Sequence, residues 1–396
     1  MLKAQETLEM TGSGSNDATN SPNNSVAYLA KKIEQAHVVW FEASNQWVQF
    51  DEQQWLIFCF YKKGLSQKSA TKKYCTKYSL PEVDAKSIIE NFYTSVSNLF
   101  NPPFEKPNFT LNSQGASIHI PEKTKTQSYR HCNKTFGITY GSAFLENYIH
   151  LPLAHLETDE NSRPSLRLEV FPIEGRFILR INGVGGRCLS AEEPGQIKRL
   201  LYIELVNLLY NKQSSDWLSF AHASALRRND QAILLTASGG SGKSTLAGLL
   251  QLNGFEFLSD DFVPIDSISK KAFPFPAALC VKNNAIKLLE DKGMEFTANP
   301  TKSTAYAKPL HNWAQAKACK MSKVVFLKYN PQVELVFETL PTLDALYIFL
   351  QEAWVGDDMK RAKKFINWFS KLSFYKLEYG NNNKAIEVLT KLTDKA

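Results

Sequence analysis

The residues best equipped for chemistry lie in Ala237-Ser-Gly-Gly-Ser-Gly-Lys-Ser-Thr245, a segment of the form [AG]-x4-G-K-[ST]. Gly239, Gly240, Ser241 and Gly242 would let successive backbone N–H groups curl around a polyphosphate, and a helix starting there adds the positive end of its dipole. In such a loop Lys243 neutralises the β/γ-phosphates, the Ser244 hydroxyl ligates Mg²⁺, and Thr245 ends the cradle. Asp260 and Asp261 follow 17 residues beyond Lys243, at the end of a hydrophobic stretch. One acid there can hold Mg²⁺ and the other can take a proton from an attacking hydroxyl. Adjacent carboxylates beside a cation split their pKa values, which suits that division. The reading here makes Asp261 the base, and Asp260 the partner of the metal and of His222. The plain alternative for His222 is a packed histidine in an apolar strand.

These residues need elements to hold them. Ala232–Thr236 reads as a strand and Thr245–Leu250 as the start of a buried helix. Leu218–Ala225 reads as one strand carrying His222, paired with the loop strand through a tight turn at Arg227–Asp230. Gly254–Pro264 reads as one strand that passes through the two acids. The strand after a phosphate-loop helix commonly runs beside the loop strand, which brings its end to the phosphates. Pro194–Tyr210 is a helix apolar nearly all round, and Lys360–Lys364 is the solvated face of an amphipathic helix.

The chain has 396 residues, 43% hydrophobic and 12% aromatic, enough for two or three domains. Residues 1–28 are rich in Ser, Asn, Thr and Gly and are expected to be a disordered tail. Residues 29–104 form a small α+β unit: Val38–Phe41 and Trp47–Phe50 make a hairpin, and helices follow over Asp51–Phe60, Ser66–Tyr78 and Asp84–Phe100. Residues 105–135 are expected to be a linker, 136–217 a β-rich segment, and 218–396 the phosphate-loop domain. Six scattered cysteines and seven histidines show no metal-ligand spacing, which suits a reducing cytoplasm. No apolar run is long enough to span a membrane. A net charge of +7 permits anionic partners without demanding nucleic acid.

His222-Ala-Ser-Ala, the glycine loop and Leu258-Ser-Asp-Asp261 together resemble the HPr kinase/phosphorylase family, and more closely the HPr-kinase-related proteins of bacterial peptide-modification clusters. The resemblance extends to Phe273–Pro276, Val281–Asn283, Lys323–Tyr329 and Phe374–Tyr379, covering roughly residues 136–396. It implies a core like that of phosphoenolpyruvate carboxykinase, a mixed sheet with flanking helices, and hence an α/β and α+β protein. It implies ATP and Mg²⁺ at Lys243 and Ser244, and proton transfer by Asp260 and Asp261 with His222. Two features depart from the family. Phe262 stands where HPr kinases carry a third acid, and their later E-x-R-G signature is absent, which argues against HPr itself as substrate. Residues 36–101 resemble the PqqD family, a winged-helix-like module that holds the leader of a precursor peptide. A DNA-reading winged helix has similar elements, but Ser66–Lys73 offers lysines and no arginine for guanine.

The sequence therefore points to a cytoplasmic ATP-dependent kinase that phosphorylates a hydroxyl on a peptide or small protein captured by residues 36–101. A kinase of a small hydroxylated molecule and an ATP-gated peptide chaperone are the alternatives, and homo-oligomerisation is compatible with all three. Residues 26–104 are expected to fold alone.

Overall fold

The structure, a computed structural model, describes residues 27–103, 124–159, 164–183, 186–237, 239–301, 303–310 and 317–394. Residues 1–26 of the expected 1–28 tail and most of the expected linker lie outside these residues, while Tyr28, assigned to the tail, opens a strand. The described chain runs β1 (Tyr28–Ile33), β2 (Ala36–Phe41), β3 (Gln46–Phe50), α1 (Glu52–Lys62), α2 (Gln67–Tyr78), α3 (Glu82–Phe100), β4 (Lys125–His131), β5 (Lys134–Tyr140), α4 (Ala143–His150), β6 (Leu166–Ile173), β7 (Arg176–Ile181), β8 (Cys188–Ala191) and α5 (Pro194–Tyr210). It continues with β9 (Trp217–Ala221), β10 (Ala223–Arg228), β11 (Gln231–Thr236), α6 (Lys243–Leu252), β12 (Glu256–Ser259), β13 (Val263–Asp266), β14 (Lys271–Ala272), β15 (Leu279–Lys282), α7 (Asn284–Glu290), β16 (Phe296–Thr301), β17 (Thr304–Ala307), β18 (Cys319–Tyr329), β19 (Leu335–Thr339), α8 (Thr342–Gln351), β20 (Ala353–Val355), α9 (Met359–Phe369), β21 (Ser373–Tyr379) and α10 (Asn382–Asp394). It is a mixed α/β protein whose contacts divide it into two units. One joins the residues up to 103 with 356–370, and the other holds 124–355 and 371–394.

In the first unit β1, β2 and β3 form an antiparallel sheet in that order. β2 is thus central, not an edge as the two-stranded hairpin would make it. The added strand β1 has Lys31 and Lys32 in its middle, which blur its alternation. Asp51 caps α1 with a reciprocal Gln54 contact. Val39, Phe41 and Phe50 pack with Phe58 of α1 and with Val96 and Phe100 of α3. By alternation the opposite sheet face carries Leu29, Val38, Trp40 and Trp47. Trp40 is nonetheless fully buried.

The cover is α9, drawn from far along the sequence. Lys31 Nζ donates to Asn367 Oδ1 at 2.7 Å and to Ser370 Oγ at 2.9 Å, and the Trp47 and Phe365 rings meet edge-on at 5.6 Å. Phe365, Ile366 and Phe369 are buried, while the lysines of 360–364 occupy the other side, as the amphipathic reading requires. The segment 27–103 on its own would therefore expose an apolar sheet face, contrary to the sequence expectation. We expect it to bind a hydrophobic dye or aggregate, and a peptide of residues 356–370 added in trans to restore a cooperative unfolding transition. A sharp transition in the segment alone, unchanged by the peptide, would contradict this packing.

The second unit contains a ten-stranded mixed sheet, with β12-β10-β11-β18-β14-β13-β9-β20 along its main path and β21 beside β18. A five-stranded sheet, β4-β5-β6-β7-β8, takes in β4 from the segment read as linker. The buried positions of β4 are Gln127, Tyr129 and His131, too polar to register as a strand by hydropathy. β10 and β11 are joined by Asn229-Asp230, both with positive φ, the two-residue turn whose twist matches a hairpin. β12 pairs with β10, not with β11. Since β10 is antiparallel to both, β12 and β11 still run the same way, and their C-terminal ends reach the same sheet edge. Leu246, Leu249 and Leu250 of α6 pack on Ile233 and Leu235 of β11, fixing the helix over the sheet.

Candidate active site

The glycine segment lies between β11 and α6, as strand, loop and helix. Gly240 and Gly242 have φ of +82° and +84°, a region that side chains resist. At Gly242 a Cβ would also meet Tyr379 Oη at 2.9 Å and Tyr329 Cβ at 3.1 Å, so the position requires glycine twice over. Tyr329 N donates to Ser241 O at 3.1 Å, which pins the loop to the C-terminal end of β18. Gly239 has open space around it, and Ser241 and Thr245 are half-buried. The loop is thus held at one side and open at the other.

The acids do not end one strand. They occupy a break between β12 and β13, where Asp261 takes a left-handed φ of +61° and Ser259 Oγ closes the turn on Phe262 O at 2.5 Å. His222 occupies a second break, between β9 and β10, with its N–H donating to Glu352 O at 2.7 Å. Both breaks replace the single strands that apolar runs suggest, because hydropathy does not register a one- or two-residue interruption.

Around these breaks the residues converge. Ser244 Oγ donates to Asp260 Oδ2 at 2.9 Å, and Ser224 Oγ donates to Asp260 Oδ1. Lys243 Nζ lies 3.3 Å from Asp261 Oδ1. His222 Nδ1 lies 3.9 Å from Asp261 Oδ1 and 3.3 Å from its carbonyl oxygen. His222 therefore stands beside Asp261 and not, as the sequence reading had it, beside Asp260. The left-handed turn at Asp261 accounts for this, because successive side chains diverge there and only the second reaches the histidine. Ser224 was missed. Its only sequence signal is its place two residues after His222, on the same face of an extended segment.

The two carboxyls differ in environment. Asp260 is 2% exposed, and burial followed by repulsion from Asp261 pushes its pKa up to about 6. Asp261 is 43% exposed at its side chain; burial would raise it, but Lys243, His222 and Lys198 outweigh that and hold it below the usual carboxylate value. A carboxyl raised by folding favours the folded state below its unfolded pKa of 3.8, and that contribution is lost as pH rises through about 6. Ionised Asp260 thus costs the free protein on the order of 3 kcal/mol at neutral pH. We expect Asp260→Asn to melt several degrees above the wild type at pH 8, roughly 2–4 °C per kcal/mol, with the advantage fading below about pH 6. Calorimetric scans across that range check this, and a variant less stable at pH 8 would refute it.

The acids also line a cleft of about 550 Å³, together with His222 and walled by Tyr148, Tyr202, Phe220, Phe262 and Trp354. Phe262, where a third acid would stand in the resembled family, packs on Phe220 with ring centroids 4.9 Å apart and on Phe275 at 4.8 Å. The position serves the aromatic wall. The acid pair therefore both touches Lys243 and Ser244 at the end of the glycine loop and lines an aromatic cleft.

The donor set suits a magnesium–nucleotide. One hydroxyl, one carboxylate and phosphate oxygens are the usual company of Mg²⁺, and the glycine conformations are those of an anion-binding loop. Among the described residues no group of three His, Cys, Asp or Glu side chains gathers as for a tightly caged metal, and no helix is long and apolar enough to cross a membrane.

The fold and site define a mixed α/β protein with a strand, glycine loop and helix set against a paired-acid cleft. No family model matches the chain, and no curated protein does. Among solved structures it is similar to the Hpr(Ser) kinase/phosphatase from Coxiella burnetii, with a TM-score of 0.23 and 11% identity, covering 44% of this chain and 94% of that one. A likeness this slight carries no argument about fold or activity.

Proposed function

We propose that this chain is an ATP-dependent phosphotransferase acting on a hydroxyl of a peptide or small protein captured by residues 36–101. The observation that carries this reading is the meeting of two contacts at the cleft wall: Ser244 with Asp260 at 2.9 Å, and Lys243 with Asp261 at 3.3 Å. Bound Mg²⁺–ATP would supply the transferable phosphoryl group. Lys243 would neutralise its terminal phosphates, and Ser244 with Asp260 would hold the metal. Asp261 faces the cleft, carries the lower pKa of the pair and stays ionised at neutral pH. It would orient the acceptor hydroxyl and take its proton as that oxygen bonds to the γ-phosphorus and the bond from phosphorus to the bridging oxygen breaks, with ADP as the leaving group. His222, near Asp261, would help hold that carboxylate in place. The aromatic walls would exclude water that otherwise competes as acceptor.

A chaperone that merely switches on nucleotide binding needs only one acid at the metal, so the second acid facing a cleft weighs against it. A small hydroxylated acceptor has a specific observation in its favour, since about 550 Å³ is the size of a small-molecule site. For peptide capture, the support is an edge strand, β3, with no second strand partner among the described residues, and exposed Val83 and Ile88 on α3. Incubation with ATP labelled at the γ-phosphate, Mg²⁺ and candidate peptides tests the proposal. Label transferred to an acceptor hydroxyl is expected. Nucleotide-dependent peptide binding with no transfer to peptide or small molecule would overturn it.

A further inference from the structure

Two polar groups in the cleft lack a hydrogen-bond or ion-pair partner among the described residues, and the catalytic reading uses neither. Lys198, on the first turns of α5, lines the cleft with its Nζ 4.7 Å from the ring centre of Tyr148 and 5.4 Å from that of Tyr202. It makes no ion pair or hydrogen bond among the described residues. Burial holds its ammonium below the ordinary lysine value, with Asp261 the largest influence pulling the other way. Tyr202 is 4% exposed and its hydroxyl is buried without a partner. Tyr306, in the same wall, lies opposite Cys280 in the β15–β17 ladder. A desolvated cation and an orphaned phenol both cost stability unless something completes them. Glu193 and Glu352 also line the cleft, but neither is ion-paired with Lys198.

We infer that Lys198 and Tyr202 form a carboxylate-binding subsite, so that the cleft takes an acceptor carrying a carboxylate close to its hydroxyl. A single ammonium with one neutral O–H donor, set in an aromatic wall, matches one negative charge on a partly apolar molecule. Arg199 also lines the cleft, with its guanidinium carbon 5.9 Å from the ring centre of Trp354. The inference rests on reading the cleft as the acceptor site. The carboxylate can belong to a free hydroxy acid or to an acidic residue beside the hydroxyl of a captured peptide. Sequence reading missed both residues, because in an all-round apolar helix Lys198 and Tyr202 look like a snorkelling lysine and a core aromatic.

The test uses the full chain without nucleotide and reads binding by ligand-observed NMR. One arm compares phenyllactate with its methyl ester, which keeps the ring and hydroxyl and loses the charge. The other compares capped Glu-Ser with capped Gln-Ser. We expect the charged member of one pair to bind about tenfold or more tightly. Preference in the first arm assigns a free hydroxy acid, and in the second an acidic peptide. Lys198→Gln should erase the preference and leave the neutral ligand's affinity unchanged, Lys198→Arg should keep most of it, and Tyr202→Phe should lose part. Melting temperature should be no lower than the wild type's, and nucleotide affinity should match it, in all three. No preference in either arm, or one that survives Lys198→Gln, overturns the subsite. Because no nucleotide is present, these outcomes are separate from phosphoryl transfer. A chain that binds the acid yet never phosphorylates keeps this subsite and loses the proposed function.

Discussion

Lys243→Ala is expected to remove phosphoryl transfer and to weaken nucleotide binding, with the fold intact. The side chain is 9% exposed and its Nζ sits against Asp261, so the ammonium is already poised in a partly desolvated place. There a point charge on terminal phosphates is worth far more than it would be in water. Loss of one such preorganised contact costs about 10²–10³-fold in turnover, and here the same group also serves ground-state binding. Asp261 would lose its nearest cation, so its carboxyl should titrate at higher pH in the variant. Turnover of labelled ATP and binding of a fluorescent nucleotide analogue check both halves. Wild-type turnover in Lys243→Ala would remove the nucleotide from this loop.

Asp261→Asn is expected to separate binding from chemistry. The amide keeps the size of the carboxylate at a position with φ +61°, a region asparagine tolerates well, so the turn should persist. What disappears is the proton acceptor, and transfer should fall by roughly 10²–10⁴-fold. Nucleotide binding should survive, because Ser244 and Asp260 stay in place. Their contact does not involve Asp261. In the metal-free wild type Asp260 titrates above Asp261, so affinity for Mg²⁺–nucleotide should weaken as pH falls through about 6. Calorimetry and turnover on one preparation decide the matter. If binding and transfer vanish together, Asp261 is a metal ligand or a structural residue, and the division of labour between the acids is wrong.

Much of this was legible from residue order alone. Ala237–Thr245 is a local device: glycines, lysine and serine at fixed spacing between a strand and a helix act through neighbouring backbone, so sequence suffices to locate it. The buried and lysine-bearing faces of α9 are local for the same reason. Asp260 and Asp261 could be singled out because a hydrophobic strand seldom runs into two adjacent acids without cause.

What residue order could not supply depended on contacts distant along the chain. The exchange of partners at His222 came from a one-residue left-handed turn. Ser224 gained its part only when β10 was laid between β11 and β12. The cover of the N-terminal sheet came from residues more than 300 positions away, as with Lys31 and Asn367. Lys198 and Tyr202 became a candidate subsite only when α5, the two strand breaks and the β15–β17 pair closed on one cleft. The sequence by itself determined the loop, the acids and the helix faces, because these depend on neighbours a few residues apart. Tertiary structure alone decided which acid met which cation and which buried groups were left unpaired, because those follow from long-range packing that local spacing does not encode.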